Sequence, residues 1–361
     1  MEIYEIRNKK SEGGIEVRVL ILGPVVNEKT SGGVAVFDEG LCGGFLENGD
    51  EANILSIEKS IKMDNIVINI KKPNRIFFHK RKIAKAIKKY KPDLVISSLQ
   101  YSIGIQTYKK VWSRAKYVQV LHGFPCPING MFKSWLINKV ARYSKKHFDY
   151  VVTVSFLSYA INKKINKIVC DKVIHNGCAL TPSNNKKERK IDFIYVGRLF
   201  RDKEVEMIGE AFSLLKRRQP NLRFVVAGFG ELEPLFTIGK FKNSGIEFVG
   251  KTTQNRVREL LEESKFFISM NPLEPFGIVF SEAVMNGCNI VTQSSNGSMA
   301  LFMHKNYFHC ADCLNGEELA EKLFNIVNDF HPISKEEKDA FVKYASFKRV
   351  AKEYKLLITR T

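Results

Sequence analysis

NPLEPFGIVFSEAVMNG, residues 271–287, is the stretch on which the reading of the whole chain turns. It holds two carboxylates, Glu274 and Glu282, around a Phe276-Gly277-Ile278 step. Proline disfavours the α region for the residue before it, so Pro275 places Glu274 in a loop. A helix is expected to start near Phe276 or Gly277 and to carry Glu282 in its second turn. Gly277 lets a ligand approach the backbone closely. The first N–H groups of such a helix favour an anion in front of them, typically phosphate. Phosphate in contact with carboxylates would be repelled, so the two Glu suit hydroxyls on either side, which a carboxylate meets purely as an acceptor. A ligand with phosphate in the middle and hydroxyl-rich rings at both ends fits this pattern: a nucleotide-diphosphate sugar.

Working outward, the same half of the chain repeats strand, glycine, helix. Residues 192–196 read as a strand, and Gly197-Arg198 opens the loop that runs to Lys203. Arg198 can grip phosphate through its planar fork and Lys203 can add a point charge. A helix over 205–218 follows, then strands over 222–227, ending at Gly228-Phe229-Gly230, and over 246–249, ending at Val249-Gly250. Gly230 and Val249 are expected beside the nucleoside. A helix over 256–263 and strands over 266–269 and 289–292 flank the organising stretch, and a helix over 317–328 comes after it.

The first half begins in the same way. Residues 17–22 (VRVLIL) read as a buried strand, the loop over 27–33 ends in Gly32-Gly33, and 34–46 reads as a helix. This is the first unit of a Rossmann-like half, without the G-x-G-x-x-G of dinucleotide binding. Further strands are expected at 52–57, 66–70, 93–97, 117–121 and 150–154, with Ser155 capping the helix after the last. His122-Gly123 follows a strand, where parallel-sheet proteins place ligand groups. His175-Asn176-Gly177 reads as a turn with a positive-φ position available. Residues 181–190 (TPSNNKKERK) read as an interdomain linker, which sets domains at 1–183 and 184–341 and a last helical segment at 342–361.

At 361 residues the chain is long enough for two cores. It has no run of 18 apolar residues, so no membrane span is expected. Its N-terminal stretch lacks the apolar centre of a signal peptide. Seven Cys, an odd number without framework spacing, suggest reduced thiols in the cytoplasm. Cys310 and Cys313, near His304 and His309, lack the second pair that a zinc site would want, so no metal is expected there. The formal net charge is +19. Residues 1–183 hold 30 Lys and Arg against 15 Asp and Glu, and residues 184–361 hold 27 against 23. The excess in the first half points to an anionic partner. Two segments suit an anionic lipid surface: a basic helix over 77–90 and an amphipathic stretch over 131–147. Each reads equally well as a surface or core helix with solvated lysines.

The spacing E-x-F-G-I-x-x-x-E at 274–282 resembles the signature of the retaining GT-B glycosyltransferases grouped as family 4. Ile194 to Lys203 resembles the family's strand-Gly-Arg-x4-Lys loop, and Gly32-Gly33, His122-Gly123 and His175-Asn176-Gly177 match in order. The resemblance implies an α/β protein of GT-B fold: two Rossmann-like domains facing across a cleft, with a C-terminal helix crossing back to the first. It implies that Glu282 holds the ribose and Glu274 the transferred sugar, and that His122 faces that sugar and helps catalysis. Arg198, Lys203 and the backbone around Phe276, Gly277 and Ile278 would steady the leaving diphosphate. Gly32 and Gly33 would lie under the phosphate and the acceptor. The chain departs from the family after Thr292, where 293–298 (QSSNGS) replaces two consecutive glycines.

The expected activity is transfer of a hexose or related sugar, with retention, to a saccharide or lipid-linked acceptor in cell-surface polysaccharide synthesis, such as O-antigen or capsule. It is expected to be peripheral on the inner face of the plasma membrane. No Asp-x-Asp occurs, so transfer is expected without a metal, and no cofactor is implied. A sugar-nucleotide epimerase of the same fold, or a non-catalytic basic binding protein, are the alternatives. The basic half lacks a recognisable nucleic-acid module.

Overall fold

The computed structural model describes residues 10–11, 14–27, 32–69, 79–124, 135, 138–139, 142–143, 145–178 and 187–359. Contacts divide the chain into two units, Met1–Ala179 with Ala345–Thr361, and Leu180–Tyr344.

In the first unit, β1 (Lys10–Ser11) and β2 (Gly14–Ile15) form a small antiparallel pair. Seven parallel strands follow: β3 (Arg18–Leu22), β4 (Glu51–Ser56), β5 (Ile66–Val67), β6 (Leu94–Ser98), β7 (Lys116–Leu121), β8 (Tyr150–Thr153) and β9 (Lys172–Val173). Their order is β5-β4-β3-β6-β7-β8-β9. β6 is buried along its whole length, as a parallel strand covered on both faces must be. The helix Lys80–Tyr90 buries Ile83, Ala84 and Ile87 and turns Arg81, Lys82, Lys85, Lys88 and Lys89 outward. The strand expected at 66–70 ends at Val67. Of the stretch 131–147, most lies outside the described residues.

The last helix, Phe347–Thr359, packs on the helix Gly33–Glu47 and buries Phe347, Val350, Ala351 and Tyr354. Gly40 and Gly44 make the close approach possible. A Cβ at Gly40 would lie 2.1 Å from the Phe347 ring, and one at Gly44 would lie 2.2 Å from the Phe347 carbonyl oxygen. Lys355 pairs with buried Asp50, and the Asn48 amide donates to the Lys348 carbonyl at 2.8 Å. The same contact corrects the reading of Gly177. It has no positive φ. It is small because the Phe347 ring would lie 2.7 Å from any Cβ there.

The second unit has six parallel strands: β10 (Ile191–Val196), β11 (Phe224–Ala227), β12 (Ile246–Gly250), β13 (Ser264–Ser269), β14 (Asn289–Thr292) and β15 (Phe308–Cys310). Their order is β12-β11-β10-β13-β14-β15. The helices Val205–Arg218 and Gly316–Ile326 pack together on this sheet's core. That core is aromatic: the Phe193 ring stacks at 5.1 Å on Phe266, and Phe212 at 4.5 Å on Phe224. Truncating any of these rings to Ala would cost about 3–5 kcal/mol. Cys310 ends β15, and Cys313 lies beyond it against Met207. Helices at Met299–Phe302 and Lys335–Tyr344 have no counterpart in the sequence reading.

In both sheets the strand order reverses once, between β3 and β6 and between β10 and β13. Open parallel sheets bind ligands outside the carboxyl ends of the strands at such a reversal.

Candidate functional site

At the β10/β13 reversal, two loops leave neighbouring strands: Gly197 to Lys203 after β10, and Asn271 to Gly277 after β13. Glu274 is in the second loop, as the proline beside it requires, and Gly277 caps the helix Ile278–Met285 with φ 70°. That is the left-handed region, which favours glycine. Any Cβ there would also lie 2.6 Å from the Phe280 ring and 3.0 Å from Glu274 Cγ. Gly277 is therefore needed by the turn itself, and no side chain caps the start of this helix. Phe276 is buried. Ile278 opens the helix, and half-buried Glu282 lies in its second turn.

The two loops meet through charge. Lys203 Nζ donates to Glu274 Oε2 at 2.6 Å, and Asn271 Nδ2 donates to the same oxygen at 2.9 Å. Each side chain of the ion pair keeps 16% of its surface exposed, so the pair is largely shielded yet reachable. Arg198 is more open, with its guanidinium over the Phe200 ring at 5.1 Å and 3.9 Å from Asp202. The Tyr195 hydroxyl donates to the Arg198 carbonyl at 2.8 Å and holds the loop's shape.

Gly228 and Gly230 fit this loop from the side. A Cβ at Gly228 would lie 1.8 Å from the Gly197 oxygen, and one at Gly230 would lie 2.4 Å from the Leu199 oxygen. The Leu199 N–H donates to the Phe229 carbonyl at 2.9 Å. Gly230 thus serves the packing of two backbones. Val249 is half-buried on β12, the sheet's edge strand. The segment after β14, where the sequence departs from the family pattern, folds onto the site by another route. The Gly297 N–H donates to the Glu274 carbonyl at 2.8 Å, and Asn296 Oδ1 accepts from both the Ser298 N–H and its hydroxyl at 2.8 Å.

The first unit has its own constellation at the β3/β6 reversal and the adjoining end of β7. Gly32 caps the helix Gly33–Glu47, and a Cβ at Gly32 or Gly33 would meet nothing within 4 Å among the described residues. His122, just after β7, turns Nε2 to the Ser98 hydroxyl at 2.9 Å, and that hydroxyl donates to Asp38 Oδ1 at 2.8 Å. Phe37 lies edge-on to the imidazole at 4.8 Å. Burial lowers the His122 pKa to about 3, so the ring is neutral at ordinary pH. Burial also raises the Asp38 carboxyl well above its usual range, against the pull of its bond to Ser98. Sequence reasoning passed over Asp38 and Ser98. The available signal was an acidic residue inside an apolar helical run, VAVFDEGLC.

The structure therefore brings Glu274, Lys203, Gly277 and the Arg198 loop together in the second unit, and joins His122 to two unforeseen partners in the first.

The model of the family "Glycosyl transferases group 1" matches residues 179–346. An uncharacterized glycosyltransferase of Methanocaldococcus jannaschii is 24% identical over 89% of this chain and 93% of its own. The gpi3 subunit of phosphatidylinositol N-acetylglucosaminyltransferase from Schizosaccharomyces pombe is 21% identical over 55% of this chain and 45% of its own. Among solved structures, a glycosyltransferase from Rickettsia africae superposes with TM-score 0.70 at 20% identity, over 96% of this chain and all of that one. Anabaena HepE, crystallised with UDP and glucose, superposes with TM-score 0.68 at 14% identity, over 96% and 98%. Such structural likeness shows the shared fold. Residues 179–346 carry a glycosyl transferases group 1 domain, and the chain has the GT-B fold of these glycosyltransferase neighbours.

Proposed function

We propose that the protein is a retaining, metal-independent hexosyltransferase of family 4 that uses a nucleotide-diphosphate sugar and a saccharide or lipid-linked acceptor. The observation that carries this reading is the meeting, at one strand-order reversal, of Lys203, Glu274 and a helix start that no side chain caps. A leaving diphosphate needs positive charge and aimed N–H groups, and Lys203, Arg198 and the backbone at Gly277 supply both. A hexose ring needs acceptors for its hydroxyls, and Glu274 supplies one. Lys203 and Glu274 pair with each other at 2.6 Å. A donor replaces that single pair by a diphosphate on Lys203 and hydroxyls on Glu274. Glu282 takes the ribose hydroxyls, with Gly230 and Val249 toward the base. Within the first unit, His122 is the candidate catalytic group, and Gly32 and Gly33 are the candidate contacts for phosphate and acceptor.

Thermal stability against UDP-, GDP-, ADP- and CMP-sugars, wild type beside Glu282→Ala, tests the donor site. A ligand that binds only the folded state adds about 2.7 kcal/mol at 100 times its dissociation constant. A shift with one nucleotide class, lost in the variant, supports the reading. No shift with any nucleotide removes it. The UDP and glucose of the Anabaena neighbour make UDP-sugars the first to try.

We further propose that the first unit rests on an anionic membrane surface, as assembly of a cell-surface polysaccharide on a lipid carrier would require. Arg81, Lys82, Lys85, Lys88 and Lys89 all face outward on one helix. Each is worth about 1 kcal/mol near anionic lipid. Among the described residues no helix is long and apolar enough to cross a membrane. Sedimentation with phosphatidylglycerol vesicles at low salt should carry the protein down. Protein left in the supernatant would refute this part.

A further inference from the structure

We propose that Asp38 and Ser98 are positioning residues for His122, and that through them the fold selects which imidazole nitrogen faces the ligand. The inference rests on the reading of His122 as part of the transfer site and assigns that site two further residues.

The argument is one of proton counting. Ser98 has one hydroxyl proton and two neighbours within hydrogen-bond distance, Asp38 Oδ1 at 2.8 Å and His122 Nε2 at 2.9 Å. Burial lifts the Asp38 carboxyl well above its usual range, so the relay is set where the pH is high enough to ionise it: there the carboxylate can only accept, and it takes the Ser98 proton. The Ser98 oxygen is then an acceptor toward the ring, and Nε2 must carry the imidazole hydrogen. This leaves a lone pair on Nδ1, which has no hydrogen-bond partner among the described residues. A neutral imidazole with a bare Nδ1 accepts a hydrogen bond from a hydroxyl, the group that both a donor sugar and a saccharide acceptor present.

The arrangement is built, not incidental. Asp38 and Ser98 are fully buried. A Cβ at residue 23 would lie 1.9 Å from Asp38 Oδ2, so Gly23 is what makes room for the carboxyl group. Phe37 pins the ring from its edge. Among the described residues, the titratable groups that bear on Asp38 and His122 are Glu39, Cys42 on the next turn of the same helix, Tyr101 after β6, and Tyr354 on the last helix. None is a cation. Glu39 is engaged by the Val26 N–H and the Ser60 hydroxyl. Asp38 Oδ2 and the Tyr354 hydroxyl are both buried without a partner among the described residues. A carboxyl group kept without a counter-ion in such a place is a costly choice for packing alone.

Asp38→Asn is the decisive substitution. The amide that replaces the carboxylate can donate to the Ser98 oxygen, which turns the Ser98 proton toward Nε2 and moves the ring hydrogen to Nδ1. Nitrogen NMR of the full chain labelled in its seven histidines reads the tautomer directly, with the His122 signals assigned by their loss in His122→Gln. At a pH above the Asp38 titration, the expected result is an Nε2–H ring in the wild type and an Nδ1–H ring in Asp38→Asn. The turnover number should fall about 10–100-fold with donor KM little changed, the size seen for groups that orient functional histidines in metal sites. Its pH profile should shift as well. An Asp38→Asn protein whose ring stays Nε2–H overturns the proposal. Should that variant not fold, Ser98→Ala decides, with Ser98→Thr as its rescue. Loss of the single tautomer in the first and its return in the second supports the relay, and an unchanged tautomer in Ser98→Ala refutes it. A tautomer that switches in a protein that binds no nucleotide-sugar would keep the relay and discard the transferase reading of the site.

Discussion

The two strand-order reversals solve the same geometric problem with opposite electrostatics. In the second unit a cation and an anion touch, Lys203 on Glu274, and both retain some exposure. In the first unit a carboxyl and an imidazole are separated by one hydroxyl, Ser98, and burial drives both toward their neutral forms. A partly exposed pair can be opened by a charged ligand, because water and the ligand replace what each ion loses. A buried relay cannot exchange partners so cheaply, so it suits a fixed hydrogen-bonding role. The contrast divides the labour: charge is met in one unit, and a proton position is set in the other.

Breaking the charged pair should have the largest effect. Lys203→Ala leaves Glu274 with Asn271 but without its cation, and removes one positive charge from the departing diphosphate. Turnover should fall on the order of 100–1,000-fold, as for loss of a preorganised donor. Circular dichroism should show the fold intact. Near-normal transfer by this variant would erase the contrast.

The two glycine helix starts sharpen it on the stability side. Gly277→Ala forces a side chain into left-handed backbone and against Phe280, and should cost about 1–3 kcal/mol in chemical denaturation. Gly33→Ala meets no described residue within 4 Å in the first turn of a helix, so it should change stability by less than about 1 kcal/mol, toward greater stability. Its effect should appear in acceptor KM instead. Equal destabilisation by the two would show that both glycines serve only their turns.

The buried relay has its own pH signature, smaller than the first effect. His122 binds its proton less well folded, at about 3, than unfolded, near 6.5. Its contribution to stability is complete above the unfolded value and is lost as pH falls from there toward 3. Asp38 is shifted the other way, binding its proton better folded than unfolded. Its contribution is therefore present at low pH and is lost as pH rises above the unfolded carboxyl value of about 3.9. Asp38→Asn removes the second trend only. The variant should gain about 1–3 kcal/mol over the wild type near pH 8, the cost of burying a poorly paired group, and little at pH 4. Urea denaturation at the two pH values measures it. A variant that loses stability at pH 8 would mean that Asp38 is held by more than Ser98.

Much of the site could be read before any coordinates. Pro275 dictates a loop at Glu274 by local sterics, and a helix start near Gly277 follows, whereas the left-handed backbone at Gly277 came only with the structure. The apolar runs of β3, β6 and β11 declare a parallel sheet because both their faces are covered. Partnerships were out of reach. Lys203 and Glu274 are 71 residues apart, and nothing in either segment says they will touch. Gly228 and Gly230 read as a strand-end turn beside the nucleoside, and their close fit against the Gly197 and Leu199 carbonyls was not legible in the sequence. Gly177 looked like a turn residue, yet a ring from the last helix claims its space.

The sequence by itself determined the local conformations: which segments are strands, where a proline forces a loop, and near which residue a helix starts. Those follow from short-range sterics and hydrophobic period, which act within a few residues. Only the tertiary structure decided that Asp38, Ser98 and His122 form one chain of hydrogen bonds. They come from a helix and the ends of two strands, and only the sheet order β3-β6-β7 brings them together. Strand order is a long-range property, set by which buried faces pack best, and no single stretch of the chain records it.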